Sequence, residues 1–153
     1  MKIKCYYLKI ETDKPLVDVH AANLRGYIGR LYPQLALLHN HSLNNSLIYT
    51  FPRVLYHIID GCPLIIGIDE GIDAIRKIAT KLTQLSLKRK IYSVKEILEF
   101  EQDLDFGVIK STLSYSFLTP WLALNEKNYE KYQKLGSWQK RKELLESILI
   151  GNI

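Results

Sequence analysis

The hydrophobic and polar positions of the first 95 residues follow two different periods, which predict strands and helices in a definite order. Residues 2–11 alternate at every second position, a pattern typical of a half-buried strand. From Val17 to Leu31 the apolar residues recur at intervals of four and three, which predicts an amphipathic helix that Pro33 ends. A second helix is predicted over residues 70–85.

Between the two helices the pattern predicts a β-hairpin. Apolar runs at residues 53–59 and 63–68 flank Asp60 and Gly61, and an Asp-Gly pair in that setting is a strong turn signal. Residues 88–94 supply a further strand. The resulting order, βαββαβ, predicts an α+β fold of the ferredoxin-like (RRM-like) type over residues 1–95, with an antiparallel sheet and both helices on one face.

The sign of the charge changes abruptly after this first unit. Residues 76–95 hold seven cations and no acid, whereas residues 96–105 hold five acids and no cation. Such a switch indicates a boundary, so we expect an acidic connector over residues 96–110. Residues 111–153 then predict a strand at 114–118 and helices at 125–135 and 137–150. This would be an incomplete second ferredoxin-like unit, whose exposed sheet edge would seek a partner.

The composition is that of a globular protein. With 153 residues, 47% hydrophobic and 24% charged, the chain can form one ordinary domain or two small ones. No apolar run approaches the roughly 20 residues of a membrane-spanning helix, and the N-terminus does not resemble a signal peptide. Two cysteines and these features predict a soluble cytoplasmic protein with reduced thiols and no membrane partner. The net charge of +5 favours a polyanionic partner.

The candidate chemistry is concentrated in the polar segment after the first helix. His39 and His41 lie two residues apart, with Arg30 before them and Tyr49 after them. Imidazoles titrate near pH 6.5, so two of them can divide the roles of general acid and general base. An arginine could stabilise charge on a phosphoryl group, and the tyrosine could orient a reacting oxygen.

The same residues are also compatible with roles that involve no catalysis. Two histidines supply only two metal ligands, too few for a zinc site, and no cofactor motif occurs, so neither a metal nor a cofactor is expected. The segment could also be a hydrogen-bonded surface loop. Gly26 and Gly29 interrupt the first helix, either for close packing on the sheet or for the approach of a ligand beside Arg25 and Arg30.

Several segments, taken in order, resemble a single known family. The family is the CRISPR-associated endoribonuclease that cuts precursor CRISPR RNA within its repeats, in the branch found with subtype I-B. The segments that carry the resemblance are LRGYIGR (24–30), LLHNH (37–41), YTFPRVLY (49–56), GCPLIIGI (61–68), FLTPWLALN (117–125) and LIGNI (149–153).

The resemblance implies tandem ferredoxin-like domains and metal-independent cleavage that leaves 2′,3′-cyclic phosphate ends on the CRISPR RNA. The family's catalytic histidine lies after the first helix, so it corresponds to His39 or His41, with His39 the first choice. Arg30 and Tyr49 match the supporting basic and hydroxyl groups. The side chains expected to contact the RNA backbone are all basic: Arg25, Arg53, Arg76, Lys77, Lys88 and Lys90.

One departure from the family affects the expected activity and partners. Family members carry a glycine-rich loop near the end of the second domain, and this sequence stops before such a loop. The chain could therefore be a truncated or split enzyme, with a homodimer, a completing C-terminal chain or a CRISPR effector complex as partner. The alternative function is a non-catalytic RNA-binding or assembly subunit. A module that pairs its open sheet edge with another protein is a third possibility.

Overall fold

A five-stranded antiparallel sheet organises the first part of the chain. The computed structural model describes residues 1–17, 20–39, 51–118, 121 and 124–152, which form two compact units, residues 1–114 and 115–153. The elements of the first unit are β1 (Lys2–Thr12), α1 (His20–Leu31), a 3₁₀ turn (Ala36–Leu38), β2 (Val54–Ile59), β3 (Cys62–Ile68), α2 (Glu70–Ala79), β4 (Gln84–Leu87) and β5 (Lys90–Asp105).

The predicted α+β class and ferredoxin-like order are confirmed. The strands lie in the order β2-β3-β1-β5-β4, so β1 is central and β5 takes the place of the fourth ferredoxin strand. The predicted hairpin is also confirmed, because β2 pairs with β3 and Asp60 and Gly61 both have positive φ, as a two-residue turn requires.

One apolar core joins the sheet to both helices. Leu8 and Ile10 of β1 are fully buried against Leu24 and Ile28 of α1 and Ile75 of α2. Because buried positions alternate along the strands, both helices pack on the same face of the sheet. The predicted apolar stripe of the first helix was too long: Val17 precedes α1 and is 57% exposed, and Leu31 is 48% exposed.

The second helix is shorter than predicted, and a second hairpin follows it. The helix α2 ends at Ala79, and residues 84–87 form β4, where Leu85 and Leu87 are buried and their neighbours are exposed. This period of two is the strand signal that the helical prediction overlooked. The turn from β4 to β5 consists of Lys88 and Arg89, which lack the Asn-Gly signature of such turns.

The acidic stretch expected to be a connector is strand for residues 96–105. These residues belong to β5 and pair with β1 over most of its length. Acids at positions 99, 101, 103 and 105 alternate with Leu98, Phe100 and Leu104, which gives the strand one acidic and one apolar face. On the apolar face Phe100 stacks on Tyr7 with ring centroids 4.5 Å apart. Counting charge without its period therefore missed that these residues form a strand.

The second unit contains two helices among its described residues. The helices α3 (Glu126–Lys134) and α4 (Trp138–Asn152) confirm the two that were predicted there. The side chain of Asn125 caps α3 by accepting a hydrogen bond from the Asn128 backbone N–H at 2.9 Å. The strand predicted at 114–118 is not formed, although Phe117 stacks on Trp121 at 5.5 Å.

A substitution at Gly71 tests how closely α2 packs on the sheet. A Cβ at this buried position would overlap the carbonyl oxygen of Arg53, which accepts a 2.8 Å hydrogen bond from the Ile68 N–H. We therefore expect Gly71→Ala to lower the free energy of unfolding by about 1 to 3 kcal/mol, as overpacking does. Urea denaturation measures the effect, with Gly107→Ala as the matched control because a Cβ there has no neighbour within 4 Å. Equal stabilities of the two variants would contradict this packing.

Candidate functional site

A cleft lies between α1, the 3₁₀ turn with His39, and the beginning of β2. Its volume is about 320 Å³. Both apolar and ionisable side chains line it, and among the described residues the ionisable ones are Arg25, His39 and Tyr56. The apolar part of the lining consists of Ala21, Ala22, Leu37, Leu38, Pro52, Val54 and Leu55. The cleft thus brings an imidazole and a guanidinium group to one surface.

His39 is held at this cleft by backbone contacts on both sides. It follows Leu38, which is fully buried, and its backbone N–H donates to the Ala36 carbonyl at 3.2 Å. The imidazole Nε2 lies 3.3 Å from the Pro33 carbonyl oxygen. Since a carbonyl only accepts, Nε2 carries the proton in this contact, and Nδ1 is the accepting nitrogen of the neutral ring. The half-buried imidazole therefore has a defined orientation.

The two glycines of α1 have different surroundings. A Cβ on Gly29 would lie 2.8 Å from Cβ of His39, which is closer than side-chain carbons approach. A Cβ on Gly26 would meet only the end of the Arg30 side chain, at 3.7 Å. Gly29 therefore makes room for the candidate histidine, a role that the helical pattern of the sequence does not reveal.

Tyr56 is a residue of the cleft that the sequence pattern did not single out. Its hydroxyl donates a 2.8 Å hydrogen bond to the Leu38 carbonyl, directly before His39. Burial raises the pKa of the Tyr56 hydroxyl, and the nearby charge of Arg25 opposes that shift. The hydroxyl is therefore a neutral donor that holds the turn in place. The alternation Val54, Tyr56, Ile58 along β2 already places this ring on the helix side of the sheet.

Of the side chains predicted to be catalytic, the structure places His39 at the cleft, together with Arg25, which was predicted to contact RNA. Arg25 lines the cleft with His39, and both it and Arg30 are exposed on α1. Arg30 lies in the last turn of α1. Its guanidinium group is the nearest neighbour that a Cβ placed on Gly26, one turn earlier in the helix, would have among the described residues. His41 and Tyr49 lie outside the described residues, so their predicted roles stay predictions.

The predicted RNA-contacting cations fall into two groups. Arg53 pairs with Asp69 at 3.3 Å and Glu70 at 3.2 Å, and Arg76 pairs with Glu101. Carboxylates therefore already offset part of the positive potential of these two arginines. The lysines are exposed, one on the outer side of α2 and two at the β4–β5 hairpin: Lys77, Lys88 and Lys90.

Within the described part of the chain, no group of three or more histidine, cysteine or acidic side chains has positions that could hold a metal ion. The described helices are also all too short or too polar to cross a membrane.

The fold places this chain in the α+β, ferredoxin-like class of proteins. Comparison with known families identifies the family to which it belongs. Residues 1–103 match the family model "Cas6b N-terminal domain", and residues 107–153 match "Cas6b C-terminal domain". The chain therefore belongs to the Cas6b family of CRISPR-associated proteins. It is also similar to a solved structure described as "Crystal structure of Cas6b", with a TM-score of 0.86 and 31% identity. That match covers 99% of this chain and 69% of the other.

A curated relative is similar over part of the chain. It is the uncharacterized protein MJ0978 of Methanocaldococcus jannaschii, which is 42% identical over 77 residues. The matched segment is 50% of this chain and 52% of that protein. The chain thus matches about half the length of this curated relative, whereas the two family models together cover nearly the whole chain.

The contrast between the two glycines is directly testable. Gly26→Ala should raise the free energy of unfolding by about 1 kcal/mol, because alanine favours the helix and the site has room. Gly29→Ala should lose this gain, because the added methyl group displaces His39. Urea denaturation measures both variants, and the His39 ring resonances in NMR spectra should shift only in Gly29→Ala. A gain of stability in both variants, with an unshifted ring, would contradict the proposed fit.

Tyr56→Phe tests the anchor of the 3₁₀ turn. The variant keeps the ring and loses the hydrogen bond to Leu38, so we expect the free energy of unfolding to fall by about 1 kcal/mol. Folding raises the pKa of the Tyr56 hydroxyl. The hydroxyl therefore contributes to the free energy of unfolding below pH 10, and this contribution is lost as the pH rises above that value. Denaturation at neutral and alkaline pH should therefore show a smaller difference between wild type and variant at alkaline pH. A difference in the free energy of unfolding that is the same at both pH values would contradict this role of the Tyr56 hydroxyl.

Proposed function

We propose that this chain cuts CRISPR repeat RNA as a metal-independent endoribonuclease and leaves 2′,3′-cyclic phosphate ends. The observation that carries the proposal is the cleft in which His39 has a defined orientation and shares the lining with Arg25. Membership of the Cas6b family supports RNA of CRISPR repeats as the substrate class.

The cleavage step needs one proton removed and one proton supplied. The ribose 2′-oxygen loses its proton and forms a bond to the adjacent phosphorus, the bond from phosphorus to the 5′-oxygen breaks, and the 5′-oxygen leaves with a proton. His39 serves as general base or general acid, and His41 as its helper. Arg25 and Arg30 stabilise the charge on the phosphate, and Tyr49 orients a reacting oxygen.

The basic side chains outside the cleft supply affinity for the RNA backbone. Lys77, Lys88 and Lys90 are exposed, whereas Arg53 and Arg76 would exchange a carboxylate partner for a phosphate. Contacts of this kind release counterions, so binding should weaken steeply with salt. A second copy of the chain, a completing C-terminal chain or an effector complex are the proposed protein partners.

Cleavage of labelled repeat RNA under single-turnover conditions in EDTA tests the proposed activity. We expect wild type to cut, and His39→Ala to cut about 10² to 10⁴ times more slowly, the usual contribution of a general acid or base. His57→Ala is the matched control, because this histidine is exposed on the sheet face opposite the helices. RNA with a 2′-deoxy residue at the cut should bind and remain intact.

Three results would count against this activity. Cleavage that needs magnesium would reject the metal-independent mechanism, and cleavage that survives the double substitution of His39 and His41 would reject the histidine mechanism. Tight, salt-dependent binding without any product would instead select the non-catalytic RNA-binding subunit.

A further inference from the structure

A second concave surface lies on the side of the first unit where β5 begins. We call it the β5 groove, and it is lined by Lys14, Pro15, Lys90, Ile91 and Tyr92. Its volume is about 420 Å³. Two of the described lining residues are cations and none is an acid. Ile91 is 62% exposed, so the groove offers an apolar surface flanked by positive charge.

The two walls of the β5 groove are tied together by the backbone. Asp13 donates its N–H to the Ser93 carbonyl at 3.0 Å and accepts from the Ser93 N–H through its carboxylate at 2.8 Å. Thr12 donates its hydroxyl to the Lys14 carbonyl at 2.8 Å, and Leu16 is buried. The Asp13 carboxylate next to the groove is thus engaged in holding the walls. A groove that is preformed loses less entropy when a ligand binds.

The hairpin beside the groove adopts an unfavourable backbone conformation. Lys88 and Arg89 have φ of 46° and 67°, the left-handed region that residues with a Cβ seldom occupy. Residues with a Cβ are disfavoured in this region because the Cβ crowds the following carbonyl oxygen. Glycine or asparagine would remove most of this cost, yet two cations occupy the turn directly before Lys90. The two-residue turn itself requires positive φ at both positions, and the residues that accept it beside the groove are both cations.

We propose that the β5 groove binds one unpaired nucleotide of the RNA. Lys14 and Lys90 bind the phosphates on either side of it, and the base rests on Pro15 and Ile91. An apolar surface flanked by two cations matches the alternation of base and phosphate along a single strand. Apolar contact with the base involves no hydrogen bond to its edge, so binding should tolerate different sequences. The inference rests on the proposed function in taking RNA as the ligand, and it adds a contact outside the His39 cleft.

The test compares two doubly neutralised variants of the full chain. Lys14→Gln with Lys90→Gln removes the two groove charges, and Lys2→Gln with Lys110→Gln removes two exposed charges elsewhere. Lys2 is the first residue of β1, and the last, Thr12, lies about 33 Å away at a rise of about 3.3 Å per residue, two positions before Lys14. The probe is a short unstructured oligouridine containing 4-thiouridine, and fluorescence anisotropy measures its binding over a range of salt concentrations.

We expect the groove variant to bind the oligouridine about tenfold more weakly than the control variant. Its slope of log affinity against log salt should be smaller than that of wild type by about 1.4, at about 0.7 for each phosphate of a single strand. Photocrosslinks to wild type should map to residues 14–15 and 90–92. Equal unfolding midpoints of the two variants show that the difference does not come from folding.

The outcomes separate this inference from the proposed activity. Equal losses in both variants, or crosslinks only at other segments, overturn the groove. Wild type that cuts repeat RNA but shows no groove-dependent binding of oligouridine overturns the groove and leaves the activity standing. Groove-dependent binding without cleavage supports the groove and overturns the activity.

Discussion

The pairing of β1 with a neighbour on each side is the interaction on which the rest of the first unit depends. Strand β1 pairs with β3 on one edge and with β5 along its length on the other. This register places Leu8 and Ile10 under both helices, where they are fully buried. A shift of one residue would turn these side chains to the opposite face and expose the core. Every element that borders the cleft is positioned from this sheet.

The candidate site depends on a local fit between helix and turn. Gly29 leaves the space that the His39 side chain occupies, and Tyr56 holds the turn before it through the Leu38 carbonyl. These contacts join α1, the 3₁₀ turn and β2, three segments that are separated in sequence. The histidine is therefore oriented by the packing of the domain as well as by the Pro33 carbonyl of its own segment, and acid-base catalysis requires such positioning.

The cations of the first unit differ in whether a carboxylate already offsets their charge. The sequence between residues 76 and 95 is uniformly basic, yet Arg76 is paired with Glu101 of β5 and also lies over the ring of Tyr6. Lys88 and Lys90, by contrast, project from a hairpin whose backbone is strained. Lys88 and Lys90 of the hairpin and Arg25 and Arg30 of α1 are thus exposed to a polyanionic ligand.

The local periods of the sequence were sufficient for the ferredoxin-like order, the β2–β3 hairpin and the helices α3 and α4, because each is specified by neighbouring residues. The alternation of acids and apolar residues over 98–105 is visible in the sequence, but only the tertiary structure showed that this segment pairs with β1. It also showed why Gly29 is a glycine and how Tyr56 contributes, because their partners lie 10 and 18 positions away along the chain. A pattern records which face a residue occupies, whereas the distance between two side chains depends on how the elements pack.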